Sequence, residues 1–99
     1  MSELLVVATI PATAEGTETV RSALETLVDA SRQEEGCISY DVYESASAPG
    51  TFVTVERWTG QDAMDAHMGT PHVAAAIGAV EGALSGDIAI HPLAPVKVG

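Results

Sequence analysis

The chain has few of the groups on which common kinds of protein chemistry depend. Among its 99 residues there is one cysteine and no asparagine, and four side chains are aromatic. A single cysteine excludes an internal disulfide, as is usual for a protein of the cytosol. No apolar stretch reaches the about 18 residues of a membrane-spanning helix, and the N-terminal segment lacks the features of a signal peptide. We therefore expect a cytoplasmic protein with no membrane partner.

Basic residues are also scarce. Four Lys and Arg stand against 14 Asp and Glu, which gives a formal net charge of −10. Such a surface repels phosphate backbones, so we expect no nucleic-acid partner. The glycines are scattered and form neither Gly-x-Gly-x-x-Gly nor Gly-x-x-x-x-Gly-Lys, so the sequence does not support a tightly bound flavin or nicotinamide. We expect no cofactor.

The chain does contain a regular succession of strand and helix patterns. Apolar runs and period-2 alternation predict strands, and apolar residues at helical spacing predict helices. The predicted elements are strands at 4–10, 37–45, 51–58 and 88–96, a helix at about 14–34, a short helix broken at Gly69, and a further helix restarted at Thr70-Pro71. Within the second strand, Ile38, Tyr40 and Val42 are predicted to share one face.

The order of these elements predicts one α+β domain over residues 1–99. It is the ferredoxin-like split βαβ pattern, a four-stranded antiparallel sheet with helices on one face. Pro92 and Pro95 suit an edge strand or one that leaves the sheet. The uncovered sheet face also carries apolar residues, and a second copy of the chain is its simplest cover. Patterning therefore predicts a homodimer with its sheets face to face.

Three local signals predict where helices begin and end. Thr13 can cap the first helix, and Gly36 is expected to end it in the left-handed conformation that glycine adopts without a Cβ clash. The segment Thr59-Gly60-Gln61-Asp62 has the spacing of a capping box, with Asp in the last place.

Two generic site types find little support. A zinc site needs closely placed Cys, His or carboxylate ligands, and His67 and His72 do not share a regular helical face because Gly69 and Pro71 lie between them. We therefore expect no metal. A nucleophilic cysteine needs a neighbouring histidine, whereas Cys37 opens a strand, where a small buried thiol is common.

The remaining possibility is an apolar pocket between the sheet and the short helices. Four side chains can form its walls and four can supply polar groups, which suits a flat aromatic ligand. The predicted walls are Trp58, Phe52, Met64 and Met68, and the predicted polar groups are His67, Glu56, His72 and Tyr40. Two of these residues also have a structural interpretation, Trp58 as a core anchor and Glu56 as a hydrogen-bond acceptor. His72 and His91 are read as incidental, and for His67 both readings stay open.

One combination of residues carries a family resemblance. The stretch Glu35-Gly36-Cys37-Ile38-Ser39-Tyr40 is followed by Glu56-Arg57-Trp58 and then by His67, nine residues after the tryptophan. In this order the chain resembles the antibiotic biosynthesis monooxygenase family over nearly its whole length. The resemblance implies a dimeric α+β barrel that oxidises phenols or hydroquinones with O2, without metal or prosthetic group.

By this resemblance the partners are a small aromatic substrate and O2. His67 is then the candidate base or acid, because histidine is the residue type most often used to accept or donate a proton near neutral pH. Trp58 is a pocket wall or an indole N–H donor, and Glu56 is the third catalytic candidate. Tyr40, Phe52, Met64, Met68 and His72 are the candidate substrate-binding residues.

Other branches of the family leave alternatives open. A haem-degrading branch has an asparagine on the first strand and a tryptophan on the later helix, whereas this chain has no asparagine and its one tryptophan ends a strand. A sugar-derivative isomerase would need more polar pocket groups. A non-catalytic role in small-molecule binding or stress remains the main alternative, because fold alone does not fix the reaction.

Overall fold

Strands and helices alternate along the chain in the predicted order. The computed structural model describes residues 3–98. The elements are β1 (Leu4–Pro11), α1 (Thr17–Ser31), β2 (Cys37–Glu44), β3 (Thr51–Trp58), α2 (Gln61–Met68), α3 (Pro71–Val80) and β4 (Ala89–Leu93). None of the helices within these residues has the length and apolar character needed to cross a membrane.

The four strands form one antiparallel sheet in the order β2-β3-β1-β4. This is the ferredoxin-like α+β fold, as predicted. The edge position of β4 is also confirmed, and there Pro92 pairs with Val6. The strand is shorter than the predicted 88–96 because it ends at Leu93, before Pro95, which has no N–H to donate to a ladder.

The inner sheet face, which the helices cover, is unusual because two of its central residues are polar. Phe52, Thr54, Glu56 and Trp58 alternate along β3, and each is at most 3 % exposed. The register sets Glu56 between Val6 of β1 and Tyr40 of β2. Alternation thus brings one carboxylate into the core, which is a costly position unless hydrogen-bond partners are supplied.

Strand β2 corrects one detail of the predicted alternation. A register shift between Cys37 and Ser39 makes a bulge in which Ile38 has no partner on β3 and is 43 % exposed. Tyr40 is buried as predicted, but Cys37 pairs with Trp58. A bulge reverses the alternation on one side of it, so the period-2 pattern fails there.

The predicted helix boundaries are partly corrected. Helix α1 spans 17–31 and not 14–34, and the Thr13 hydroxyl accepts from the Gly16 N–H at 2.9 Å, which stabilises the turn before the helix. The capping box at residues 59–62 does not form, because Gly60 is the N-cap and receives no side-chain hydrogen bond. Thr70 does cap α3, accepting from the Val73 N–H, with proline in the first turn.

Gly36 is needed for a reason other than the predicted one. Left-handed φ angles occur within residues 3–98 only at Gly50 and Gly82, so Gly36 is not left-handed. A Cβ built on Gly36 would instead lie 2.4 Å from the Cβ of Ala63 in α2. The Thr59 N–H also donates to the Gly36 carbonyl at 2.9 Å. The missing side chain therefore lets α2 approach the start of β2.

We expect Gly36→Ala to destabilise the fold by about 1–3 kcal/mol, the usual penalty of overpacking. Ala63→Gly in the same chain should recover part of this loss, because it removes the clashing methyl group but places a glycine inside α2. Gly78→Ala is the control, since no atom lies within 4 Å of a Cβ there and alanine favours a helix. Urea titrations measure the three variants, and equal stability of Gly36→Ala and wild type would contradict the close contact.

Candidate active site

A cavity of about 210 Å³ lies between the inner sheet face and the helices. Its wall is mostly apolar, and the polar side chains on it come from β2, β3 and α2. The lining residues that concern the chemistry are Tyr40, Thr54, Glu56, Met64, His67 and Met68. Such a cavity takes up a small apolar ligand and leaves a few polar groups to orient it.

His67 is held on this wall by contacts from three sides. It follows Ala63 by one helical turn on α2, so the close approach at Gly36 carries its ring towards the sheet. The ring centroid lies 4.5 Å from that of Trp58 and 5.6 Å from that of Tyr40, and the residue is 3 % exposed. A buried ring with aromatic neighbours on two sides has little freedom to rotate, which fixes its nitrogens in space.

The Glu34 carboxylate joins two histidines. Its Oε2 lies 2.6 Å from His67 Nδ1 and 2.7 Å from His72 Nε2. An ionised carboxylate can only accept, so each of these ring nitrogens donates a proton to it. Because a neutral imidazole carries one proton, the other nitrogen of His67, Nε2, is left with a free lone pair.

The free nitrogen of His67 borders the cavity. Within residues 3–98 the Nε2 atom has no hydrogen-bond partner. It is also not completely enclosed by other protein atoms. Because His67 lines the cavity, we infer that Nε2 faces it. This geometry is that of a general base oriented by a carboxylate behind it.

Glu56 is buried with both carboxylate oxygens engaged. Oε2 accepts from the Thr54 hydroxyl at 2.7 Å, and Oε1 accepts from the Trp58 indole N–H at 3.0 Å. These bonds offset the cost of burying a carboxylate, and they fix the Trp58 ring that packs against His67. Glu56 is thus connected to His67 through the Trp58 ring.

The phenol of Tyr40 remains protonated on the cavity wall. Burial raises the pKa of Tyr40 far above its ordinary value, and the nearby Glu56 carboxylate raises the pKa further. A neutral phenol keeps its O–H and can donate a hydrogen bond to a ligand. Burial likewise raises the pKa of the half-buried Cys37 thiol, which disfavours the thiolate that a nucleophile needs.

Comparison with known proteins identifies the family. Residues 4–79 match the antibiotic biosynthesis monooxygenase family. A Mycobacterium tuberculosis protein, Rv0793, which is named a putative monooxygenase, is 42 % identical over 80 residues, or 77 % of this chain and 78 % of that protein. The chain belongs to the antibiotic biosynthesis monooxygenase family.

Solved structures agree with this membership. The structure of Rv0793 superimposes with a TM-score of 0.88 and 33 % identity over 98 % of both chains. The structure of PA3566 from Pseudomonas aeruginosa gives a TM-score of 0.88 and 28 % identity over 98 % of this chain and 97 % of that one. These structures support the family's fold over nearly the whole chain, and the family match and the name of Rv0793 support a monooxygenase function.

Five of the eight site residues expected from the sequence line the cavity of this family member, and three do not. Phe52 lies under the Arg21 guanidinium, 5.2 Å from it, on another side of the core. Trp58 is fully buried against His67 with its N–H donated to Glu56, and His72 bonds to Glu34 beside the His67 ring. Those that line it are Tyr40, Glu56, Met64, His67 and Met68.

Sequence reasoning missed Glu34. The expectation of no close ligand spacing considered His67 and His72 only along the helical region, where they are separated by Gly69 and Pro71. Glu34 lies 33 positions before His67, in the turn after α1, and tertiary folding brings its carboxylate between the two rings. No local pattern marks it, because an acidic residue in an acidic chain is not distinctive.

Proposed function

We propose that the chain oxidises a small phenolic or hydroquinone-type aromatic with O2, forming a quinone in the cytoplasm without a metal or prosthetic group. The observation that carries the proposal is His67 Nε2, a ring nitrogen with a free lone pair on the wall of a mostly apolar cavity. An apolar cavity takes up a flat ring, and a base inside it meets the phenolic proton away from bulk water.

The proposed chemistry balances without a cofactor. His67 Nε2 takes the phenolic proton, and the electron-rich phenolate gives one electron to O2. The resulting radical pair combines to form a C–O bond at a ring carbon that carries hydrogen, para to the hydroxyl in a naphthol and ortho to it in a hydroquinone. Loss of the hydrogen at that carbon and cleavage of the O–O bond give the second carbonyl. One phenol and one O2 thus become one quinone and one water, with the proton on His67 returned to the departing oxygen.

The size of the cavity narrows the substrate class. Its volume of about 210 Å³ is below the about 300–1,000 Å³ of pockets for drug-sized ligands. We therefore favour substrates of one or two rings, such as substituted hydroquinones and naphthols, over large polycyclic compounds. Tyr40 would donate its O–H to a substrate oxygen, since its raised pKa keeps the phenol neutral.

Oxygen uptake tests this proposal. The purified chain, treated with a chelator, should consume one O2 per quinone formed with at least one member of a hydroquinone and naphthol panel, and at a rate proportional to protein. A non-catalytic binder is the second candidate, because so apolar a wall also suits simple binding. Such a binder would raise its melting temperature with these ligands but would consume no oxygen.

We also propose that the protein is a homodimer that buries the outer sheet face, on which the helices do not pack. Leu5 pairs with Leu93, and both are more than 40 % exposed, while Val7 pairs with Val55 at the centre of this face. A second copy related by a two-fold axis would cover this apolar surface with the same surface.

Light scattering should therefore give a mass of about twice 10.2 kDa at micromolar concentration. Val55→Arg, on the outer face, should shift the mass towards one chain, because it puts a charge at the centre of the interface. Ile77→Arg, on the half-exposed side of α3, is the matched control and should leave the dimer intact. A wild-type mass near 10.2 kDa would refute the dimer.

A further inference from the structure

Glu34, His67 and His72 form a cluster that can do more than orient the His67 ring. The ligand atoms are Glu34 Oε2, His67 Nδ1 and His72 Nε2, and all lie within 4.8 Å of one another. His67 is buried, whereas the side chains of Glu34 and His72 are 15 % and 24 % exposed. One side of the cluster is therefore open to a small ion from solvent.

The chemistry of the cluster is that of a transition-metal site. Two imidazole nitrogens and one carboxylate oxygen are a ligand set that zinc and its neighbours accept, with a further position for water or the second carboxylate oxygen. Ligand atoms around tetrahedral zinc are about 3.4 Å apart, since each lies about 2.0–2.1 Å from the ion. The present distances from Oε2 are 2.6 and 2.7 Å, and all three atoms lie within 4.8 Å of one another, so an ion would enter as the Glu34 carboxylate withdraws and the His72 ring closes on the ion.

We propose that this cluster binds one divalent transition-metal ion per chain, with Zn²⁺ as the reference ion. The carboxylate that now accepts two N–H groups would become a metal ligand, and each ring would shift its proton to its other nitrogen. Because each ring keeps its one proton, the two histidines bind the ion without releasing a proton to solvent. The net charge of −10 further favours a cation over an anion near this surface.

Metal binding and the action of His67 as a base exclude each other. When the ion occupies Nδ1, the single proton of the neutral ring has to lie on Nε2, which borders the cavity. His67 then offers a donor to the substrate and no lone pair. Zinc should therefore inhibit the oxidation, and a chelator should restore it. This consequence rests on the proposed function, whereas the metal site itself does not.

Calorimetric titration of the chelator-treated full chain with zinc chloride tests the site. Wild type should bind one Zn²⁺ per chain, and Glu34→Gln and His72→Gln should each weaken binding by at least about tenfold, since a lost ligand matters more than a lost outer contact. Glu35→Gln and His91→Gln are the matched controls, because they remove the same groups outside the cluster and should bind as wild type does. Circular dichroism verifies that each variant is folded.

Two results would overturn the inference. The first is no zinc binding by wild type up to about 1 mM, which corresponds to only about 4 kcal/mol of binding free energy. The second is binding that survives unchanged in both Glu34→Gln and His72→Gln, which would assign the ion to other carboxylates. His72 is partly exposed, so its variant folds even where changes at buried His67 do not. Zinc binding with the expected variant pattern but no oxygen uptake would support the site and refute the monooxygenase proposal alone.

Discussion

His67→Ala should lower the rate of aromatic oxidation by about 10²- to 10⁴-fold, the usual loss when a general base is removed. The ring is buried, its Nδ1 lies 2.6 Å from Glu34 Oε2, and its Nε2 has no hydrogen-bond partner within residues 3–98. The other basic atoms on the cavity wall belong to Glu56, whose two oxygens already accept hydrogen bonds. Alanine therefore leaves the phenolic proton without an acceptor.

The pH dependence separates this role from a merely structural one. The deficit of His67→Ala should shrink as pH rises, because hydroxide and ionisation of the substrate itself replace the missing base. Glu34→Gln should lose less activity, since the amide can still accept from Nδ1 but no longer stabilises the protonated ring. Asp65→Ala, on the exposed side of the same helix, is the control for helix stability. Full activity of His67→Ala across the pH series would show that the cavity acts by binding alone.

Trp58→Ala should destabilise the fold by about 3–5 kcal/mol, the range for removing a large aromatic from a core. Trp58 is the largest fully buried side chain of the described residues. It packs edge-on to Tyr40 with centroids 6.2 Å apart, lies against His67, and donates to Glu56. Its loss therefore leaves a cavity, an unsupported imidazole and a carboxylate with one donor fewer.

Trp58→Phe separates the ring from its N–H. Phenylalanine keeps much of the apolar volume but leaves Glu56 Oε1 without its donor, for which we expect a loss of about 1–3 kcal/mol. Because Trp58 is the only tryptophan, urea unfolding of both variants is followed by circular dichroism and not by indole fluorescence. A Trp58→Ala variant within about 1 kcal/mol of wild type would mean that the neighbouring rings collapse into the space.

The fold could be predicted from the sequence because its elements have clear periods. The alternation of residues 51–58 and the Thr70-Pro71 start of α3 follow from side-chain geometry and from capping, which are local. The sequence predictions that were wrong concern positions where a contact between distant segments, and not the local sequence, determines the conformation. Gly36 is selected by the approach of Ala63 and not by its φ angle, and the bulge at Ile38 depends on pairing with β3.

The candidate site could be predicted less completely. His67 and Met64 share one side of α2, and Tyr40 and Glu56 pair across two strands, so periodicity indicated that they meet. Periodicity gives the face on which a side chain lies but not how deeply it is buried. It therefore predicted Trp58 on the cavity wall, whereas the Trp58 ring is fully buried against His67. Glu34 could not be predicted, because it lies outside the regular elements, where period carries no information on the direction of a side chain.

The central claim is that the cavity uses His67 to insert one oxygen atom of O2 into an aromatic ring. Mass spectrometry of the product formed under isotopically heavy O2, with chelator present, tests it most directly. We expect one heavy oxygen atom in each quinone made by wild type, and a correspondingly slower appearance of the same labelled product with His67→Ala. Quinone that carries no heavy oxygen, or labelled quinone that forms equally fast with His67→Ala, would contradict it.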